Sequence, residues 1–211
     1  MTRASLILST IVQCWCADSF AQSCENWGSP STLGTLKQSF VHESSGLARS
    51  HLHDGVWYTH NDSGSGPEIH AFRLSGEFLG TSTVMGADSI DWEAMATGPC
   101  PGQRDQSCIY IGDIGDNAKK RGSVQIYAIP EPSKLGQPAS ILAIWNLSYP
   151  SKARDAEALL VHPETGALTL ITKSGEGKSR IMSIPTQPSP QIQEMTQVAR
   201  VQIQGMISNQ R

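Results

Sequence analysis

The sequence has no basic stripe. Its 16 Lys and Arg stand against 19 Asp and Glu, for a formal net charge of −3. Nothing in that balance tracks a phosphate backbone, so no nucleic-acid partner is expected. Long apolar runs are missing too. The stretch from Leu6 through Val12 to Trp15 is broken at Gln13 and closed by Asp18, well short of the ~20 residues that span a bilayer. No segment keeps a 3.6-residue apolar period between caps, so little helix is predicted. There is no Gly-x-Ser-x-Gly elbow and no Gly-x-x-x-x-Gly-Lys loop, which removes the commonest serine-hydrolase and nucleotide signatures.

What is present suits short strands and turns. Of 211 residues, 38% are hydrophobic and 17% charged, with 19 Gly and 12 Pro, too apolar a mixture for a disordered chain. At the start, Arg3, the apolar stretch and the small-residue site Ser19-Phe20-Ala21 read as a signal peptide over residues 1–21, cut after Ala21. A lipoprotein anchor at Cys14, Cys16 or Cys24 lacks the apolar-small-small pattern such signals favour. The expected location is therefore secreted or periplasmic. Beyond the leader remain Cys24, Cys100 and Cys108. In an oxidising compartment Cys100 and Cys108 are the natural disulfide partners, leaving Cys24 over. Cysteines without nearby histidine pairs do not make a zinc site.

Internal repetition is the strongest signal. Three units align, with strand-like runs at residues 45–48, 56–59, 69–72 and 78–84, then 93–96, 108–111, 124–130 and 141–147, then 157–160, 167–172, 181–185 and 192–203. His53-Asp54-Gly55 and Pro163-Glu164-Thr165-Gly166 supply glycine where a turn needs positive φ. Four short antiparallel strands per unit, starting about 50–65 residues apart, predict an all-β fold and a β-propeller of about three four-stranded blades. A β-sandwich also has short strands at regular spacing, but it gives no reason to repeat one acidic-small-apolar opening. Propellers close with typically 4–8 blades, so the expectation is a partial ring over residues 40–211 that ends where a fourth unit would begin, at Gly205-Met206-Ile207-Ser208. Residues 22–39 form an extension or a closing outer strand, and an open array of this kind is expected to be poorly stable alone.

Acidic clusters fall at strand starts and ends: His60-Asn61-Asp62, Asp91-Trp92-Glu93, Asp113-Ile114-Gly115-Asp116-Asn117 and Asp155-Ala156-Glu157. In a propeller these positions ring one mouth of the central channel. Oxygen ligands converging from several blades suit Ca²⁺, which takes six to eight of them. The candidate metal ligands are Asp62, Asp91, Glu93, Asp113, Asp116, Asn117, Asp155 and Glu157. Glu93 and Glu157 are the strongest, because they recur at one position of two units inside apolar strands. The same position in the first unit is Ser45. Asp and Asn also favour turns for their own backbone bonds, and for Asp116-Asn117 that reading weighs equally.

The runs Phe40-Val41-His42-Glu43-Ser44-Ser45-Gly46-Leu47-Ala48, Trp57-Tyr58-Thr59-His60-Asn61-Asp62-Ser63-Gly64, Asp91-Trp92-Glu93-Ala94-Met95-Ala96 and Tyr110-Ile111-Gly112-Asp113-Ile114-Gly115-Asp116-Asn117 resemble a largely uncharacterised family of secreted bacterial β-propellers. That family is broadly similar to phytase-like, strictosidine-synthase-like and paraoxonase-like six-bladed propellers. The resemblance implies channel carboxylates and Asn holding Ca²⁺, with esterase, lactonase or phosphatase activity in several relatives. The chain departs from them in ending after three units, and a shared fold does not name a substrate.

Other motifs carry less. Asn61-Asp62-Ser63-Gly64-Ser65-Gly66-Pro67 resembles a chymotrypsin-like nucleophile loop but has no base motif to go with it, so it reads as a tight turn. His51 with His53, and Lys119-Lys120-Arg121, read as surface groups. Two functions compete. One is a metal-assisted hydrolase of an ester, lactone or phosphoester, with a channel carboxylate or His60 as the candidate catalytic proton carrier. The other is a non-catalytic propeller that binds a protein, a small molecule or a phosphorylated ligand at the same mouth.

Overall fold

A computed structural model of the chain describes residues 29–175 and 177–202. The predicted leader and its cleavage site, Cys24, Trp27 and residues 203–211 lie outside them. The chain divides into Met1–Ser31 and Thr32–Arg211, and every strand belongs to the second unit. Among the described residues there is no helix, so none is long and apolar enough to cross a membrane.

The described residues form fourteen strands in three sheets. The first is built from β1 (Ser44–Arg49), β2 (Val56–Asn61), β3 (Glu68–Arg73) and β4 (Phe78–Met85). Next come β5 (Trp92–Cys100), β6 (Gln103–Asp113), β7 (Val124–Pro130), the short β8 (Ala139–Ser140) and β9 (Ala143–Ser148). Last are β10 (Ala156–Val161), β11 (Leu168–Thr172), β12 (Lys178–Ser183), β13 (Ser189–Glu194) and β14 (Thr196–Gln202). Each sheet is an antiparallel meander, in the orders β1-β2-β3-β4, β5-β6-β7-β9 and β10-β11-β12-β14. These are the three repeated units read from the sequence. Gly55 and Gly166, both at φ 70°, turn the hairpins where the sequence placed them. The described residues do not close a ring.

The expectation of four strands per unit needs one correction. A fifth, parallel strand is added to each of the first two sheets: β8 on β4, pairing Val84 with Ala139, and β13 on β9, pairing Ile192 with Asn146. The run over residues 192–203 is therefore two elements rather than one. It breaks at Met195, which is buried and donates its amide to Ser148 O at 2.9 Å. The sequence leaves the stretch before Phe40 as an extension or an outer strand. Residues 29–43 contain no strand, and the Phe40 ring instead rests on His70 and Phe78.

Two cores lie between the three sheets. Ala48, Val56, Tyr58, Ile69 and Val84 of the first sheet meet Trp92, Met95, Ile109, Ile111 and Ile129 of the second. On its other face the second sheet offers Ala94, Tyr110, Ile126, Trp145 and Leu147 to Leu159, Leu168, Leu170 and Met182 of the third. The middle sheet is thus buried on both faces, which is why Cys108-Ile109-Tyr110-Ile111 is a continuous apolar run rather than an alternation. Its large aromatics keep their polar atoms bonded, Trp92 Nε1 to Asp88 O at 2.9 Å and Trp145 Nε1 to Pro185 O at 3.0 Å, as burial demands. The first strands β1, β5 and β10 pack side by side, β5 touching both of the others.

Cys100 and Cys108 are disulfide-bonded across the β5–β6 hairpin, with Cα atoms 4.9 Å apart. Replacing both by Ser is expected to lower unfolding stability by about 2–3 kcal/mol, from the freedom regained by a short loop. A denaturant titration measures it. Alkylation of the non-reduced protein should leave both residues unlabelled, and labelling of both would refute the bond.

Candidate functional site: a carboxylate junction

All three sheets carry the same irregularity. The register between first and second strands slips by one residue between Ser44 and Leu47, between Trp92 and Ala94, and between Ala156 and Ala158. Such a bulge turns a side chain out of the regular alternation. The residues so placed are Ser45 with Gly46, then Glu93, then Glu157. Because β1, β5 and β10 lie side by side, the three bulges face a common junction. One turn beyond, the amides of Asp62, Ile114 and Lys173 bond the carbonyls of Glu43, Asp91 and Asp155, respectively, at 2.9, 3.1 and 2.9 Å.

Two overlapping groups result. Asp62, Asp91 and Glu93 each bring one carboxylate oxygen within 4.8 Å of the others, and so do Glu93, Asp155 and Glu157. Glu93 belongs to both. It is 6% exposed and takes the Ser45 hydroxyl on Oε2 at 3.2 Å. Burial, then the charges of Glu157, Asp62 and Asp91 and a hydrogen bond with Glu157, push its carboxyl from 4.5 up to about 8. Burial and then Asp62 raise Asp91 from 3.8 to about 6. Gly115 closes the wall of the junction: a Cβ there would collide with the Asp91 carboxylate and Glu93 Oε1. The Asp116 amide donates to Asp155 Oδ1 at 2.9 Å.

Lys173 completes the junction, its Nζ 2.6 Å from Glu157 Oε1 and 3.8 Å from Asp155 Oδ2. The hydrogen bond to Glu157 raises its pKa most. The sequence reading missed this residue, although a signal existed. Lys173 follows Thr172 as Asp62 follows Asn61 and Ile114 follows Asp113, in the same column of the repeat.

The other sequence candidates have different duties. Asp113 is fully buried, accepts the Ile90 and Asp91 amides and pairs with Arg121 at 2.7 Å. In the first sheet the equivalent Asn61 accepts the Glu43 amide in the same way, so a neutral side chain does that work. Asp116 accepts the Lys120 and Arg121 amides at 2.9 and 2.8 Å, which is a local turn. Asn117 is exposed. His60, the candidate proton carrier, is 0% exposed. Its Nδ1 lies 2.8 Å from Asn61 O, so that nitrogen carries the proton, and its ring stands edge-on to Trp92. Burial holds its pKa below the ordinary value. A Cβ on Gly46 would strike its Nε2, so His60 supports the first bulge from beneath.

A second buried carboxylate shows what the junction lacks. Glu131, at the far end of β1, accepts the Ser50 hydroxyl, the His51 and Leu52 amides, each at 3.2 Å, and the Tyr58 hydroxyl at 3.1 Å. Burial pushes its pKa up, but these donors outweigh it and hold the carboxyl below its ordinary value. Glu131 has donors where Glu93 has mainly other carboxylates. No model of a known protein family matches the chain, and no curated protein matches it.

The raised values make stability depend on pH with a definite sign. A carboxyl that holds its proton more tightly folded than unfolded stabilises at low pH, and that contribution is lost as pH rises through the folded pKa. Metal-free protein should therefore lose melting temperature between pH 6.5 and about 8 as Glu93 ionises. Buried His60 and His70, whose pKa values are lowered, act in the opposite sense only below about pH 6.5. Melting scans should show this fall in the wild type and a flat profile in Glu93→Gln over the same window.

Proposed function

We propose that the chain is a secreted, β-propeller-type protein that binds Ca²⁺ at the carboxylate junction and uses the cation to hold a small-molecule ligand. Three meanders of one strand order support the propeller reading, as does the parallel strand that twice hands one unit on to the next. A disulfide within the chain suits an oxidising compartment.

The observation that carries the cation reading is Glu93, shared by two carboxylate groups at one buried position. Crowded carboxylates repel, and the free protein answers by keeping a proton. A divalent cation replaces that proton and removes the repulsion. Asp62, Asp91, Glu93, Asp155 and Glu157 supply hard oxygen donors of the kind Ca²⁺ prefers, and water or ligand oxygen completes its six to eight positions. Hydrolysis would also need a proton carrier facing the ligand. His60 is buried, and the proton that Glu93 keeps in the free protein is the one the cation displaces, so binding is the preferred reading.

Calorimetry on the full chain is expected to find saturable Ca²⁺ binding that tightens as pH rises toward 8. Glu93→Gln should weaken it at least about tenfold, or 1.4 kcal/mol, and Gly115→Ala should weaken it by displacing Asp91 and Glu93. Asp54→Asn, a change at an exposed carboxylate, should have no effect. Equal affinity in Glu93→Gln would remove the junction as the site. Chelator-sensitive turnover of aryl esters, lactones or phosphoesters would replace binding by hydrolysis.

A further inference from the structure

Two sheet faces have no sheet against them among the described residues. They are the two halves of an interface that the chain makes twice. Strand pairing sets Leu47 opposite Thr59, Met95 opposite Ile111 and Leu159 opposite Leu170, so the three share one place in the repeat. Met95 faces the first sheet and Leu159 the second, each 5% exposed, whereas Leu47 is 55% exposed. The opposite face repeats the contrast. One residue further along the first strands stand Ala48, Ala96 and Leu160. Ala48 is 5% exposed beneath the second sheet, and Leu160 is 52% exposed. Ile69, Ile126 and Ile181 also share a place, each preceding the residue opposite Thr59, Ile111 or Leu170. The first two are buried against the next sheet, and Ile181 is only half-buried.

Apolar residues gathered on an open sheet face mark an interaction surface, and the repeat says what fits this one. In both internal interfaces, the face with Ile69 or Ile126 meets a face with Met95 or Leu159 on the next unit. The chain carries one more of each. Ile181 and Leu160 lie on the third sheet, Leu47 and Trp57 on the first. Phe40 caps the outer part of that first face by resting on His70 and Phe78, and leaves Leu47 uncovered.

Charge agrees with shape. The amides of Asp62, Ile114 and Lys173 bond the carbonyls of Glu43, Asp91 and Asp155, so those three acidic residues form a column too. At the first interface Asp62 of one unit has a carboxylate oxygen within 4.8 Å of one on Asp91 of the next. The same step beyond the third sheet sets Lys173 against the place of Glu43, and both residues are exposed. Like charges at the internal interface become opposite charges at the open one.

We propose that a second copy of this chain lays its first sheet on the open face of the third and its third sheet on the first, closing a two-fold ring of six sheets. A head-to-tail contact either closes or runs on as a filament. Propellers close with roughly 4–8 units. One copy supplies three sheets, two supply six and three supply nine, so two copies alone fall inside that range. The second copy also extends the junction, bringing its Glu43 to Lys173 and its Ser45-Gly46 bulge beside the bulge at Glu157. The inference rests on the propeller-type reading of the three meanders and not on the calcium reading.

Sedimentation equilibrium of the full chain under chelator is expected to find two chains per particle. Leu160→Glu and Leu47→Glu change exposed side chains on opposite faces. Each should weaken the dimer at least about tenfold, because the ring uses both faces twice. Monomer at every concentration, or a mass that keeps growing with concentration, overturns the inference. So does a dimer that survives Leu47→Glu, since third sheets packed on each other, or association through residues 1–21, would ignore that change. Far-UV circular dichroism reports whether the variants keep their strands, and if Leu160→Glu does not fold, Leu47→Glu decides alone. Exchanging charges tests the order of the contact. Glu43→Lys and Lys173→Glu should each weaken the dimer and together restore part of it, and a pair no better than the single changes overturns the head-to-tail order. Calcium is titrated separately, so a dimer without calcium binding, or the reverse, tells the two readings apart.

Discussion

One extra residue in the first strand of each sheet sets up the chemistry of this protein. Regular alternation would send Glu93 and Glu157 into packed interfaces or out to solvent. The bulges at Ser45-Gly46, Glu93 and Glu157 instead turn all three positions toward the line where β1, β5 and β10 meet. The rest of the site is arranged around that turn. Gly46 leaves room for the His60 ring and Gly115 leaves room for the Asp91 and Glu93 carboxylates. The ends of the second strands deliver Asp62 and Lys173 to the same place. A bulge is a small disruption of a ladder, and here it recurs in three sheets at equivalent positions.

Two buried glutamates define what the fold tolerates and what it holds in reserve. Glu131 is matched with donors from the β1–β2 loop and from Tyr58, so its charge is stabilised where it sits. It ties the second sheet to the first, a structural task complete within the protein. Glu93 receives one hydroxyl and otherwise faces like charge, so it stays protonated well above the ordinary carboxylate range. Burying a carboxylate among carboxylates stabilises nothing by itself. That cost is what gives the junction a physical reason to take up a cation.

The framework around these groups is stiff where the chemistry needs it. The middle sheet, apolar on both faces, is the layer against which the other two pack. Its first strand, β5, begins just after Asp91 and carries Glu93, the residue common to both carboxylate groups. The disulfide closes the far end of the same hairpin, so β5 is held at both ends: at one by Asp113 accepting the Asp91 amide, at the other by the Cys100–Cys108 bond.

Local chemistry made much of this legible in the amino-acid sequence. Strand identity follows from β-branched and apolar runs, turns from Gly55 and Gly166, the three units from their repeated openings, and the disulfide from two cysteines flanking a short polar loop. Asp62, Asp91, Glu93, Asp155 and Glu157 were identifiable as one chemical class at recurring positions. Their grouping was not, because it depends on which first strands lie side by side and on a one-residue slip of register that composition does not encode. Asp113 and Asp116 look like ligands in one dimension and prove to be backbone acceptors in three, since an amide several residues away reaches each first. His60 looked reactive because it precedes Asn61-Asp62, but strand alternation turned it into the core against Trp92. Lys173 was the harder residue to find, for the converse reason: a cation in the column that holds Asp62 declares itself only when β10 and β11 pair and bring it against Glu157 and Asp155.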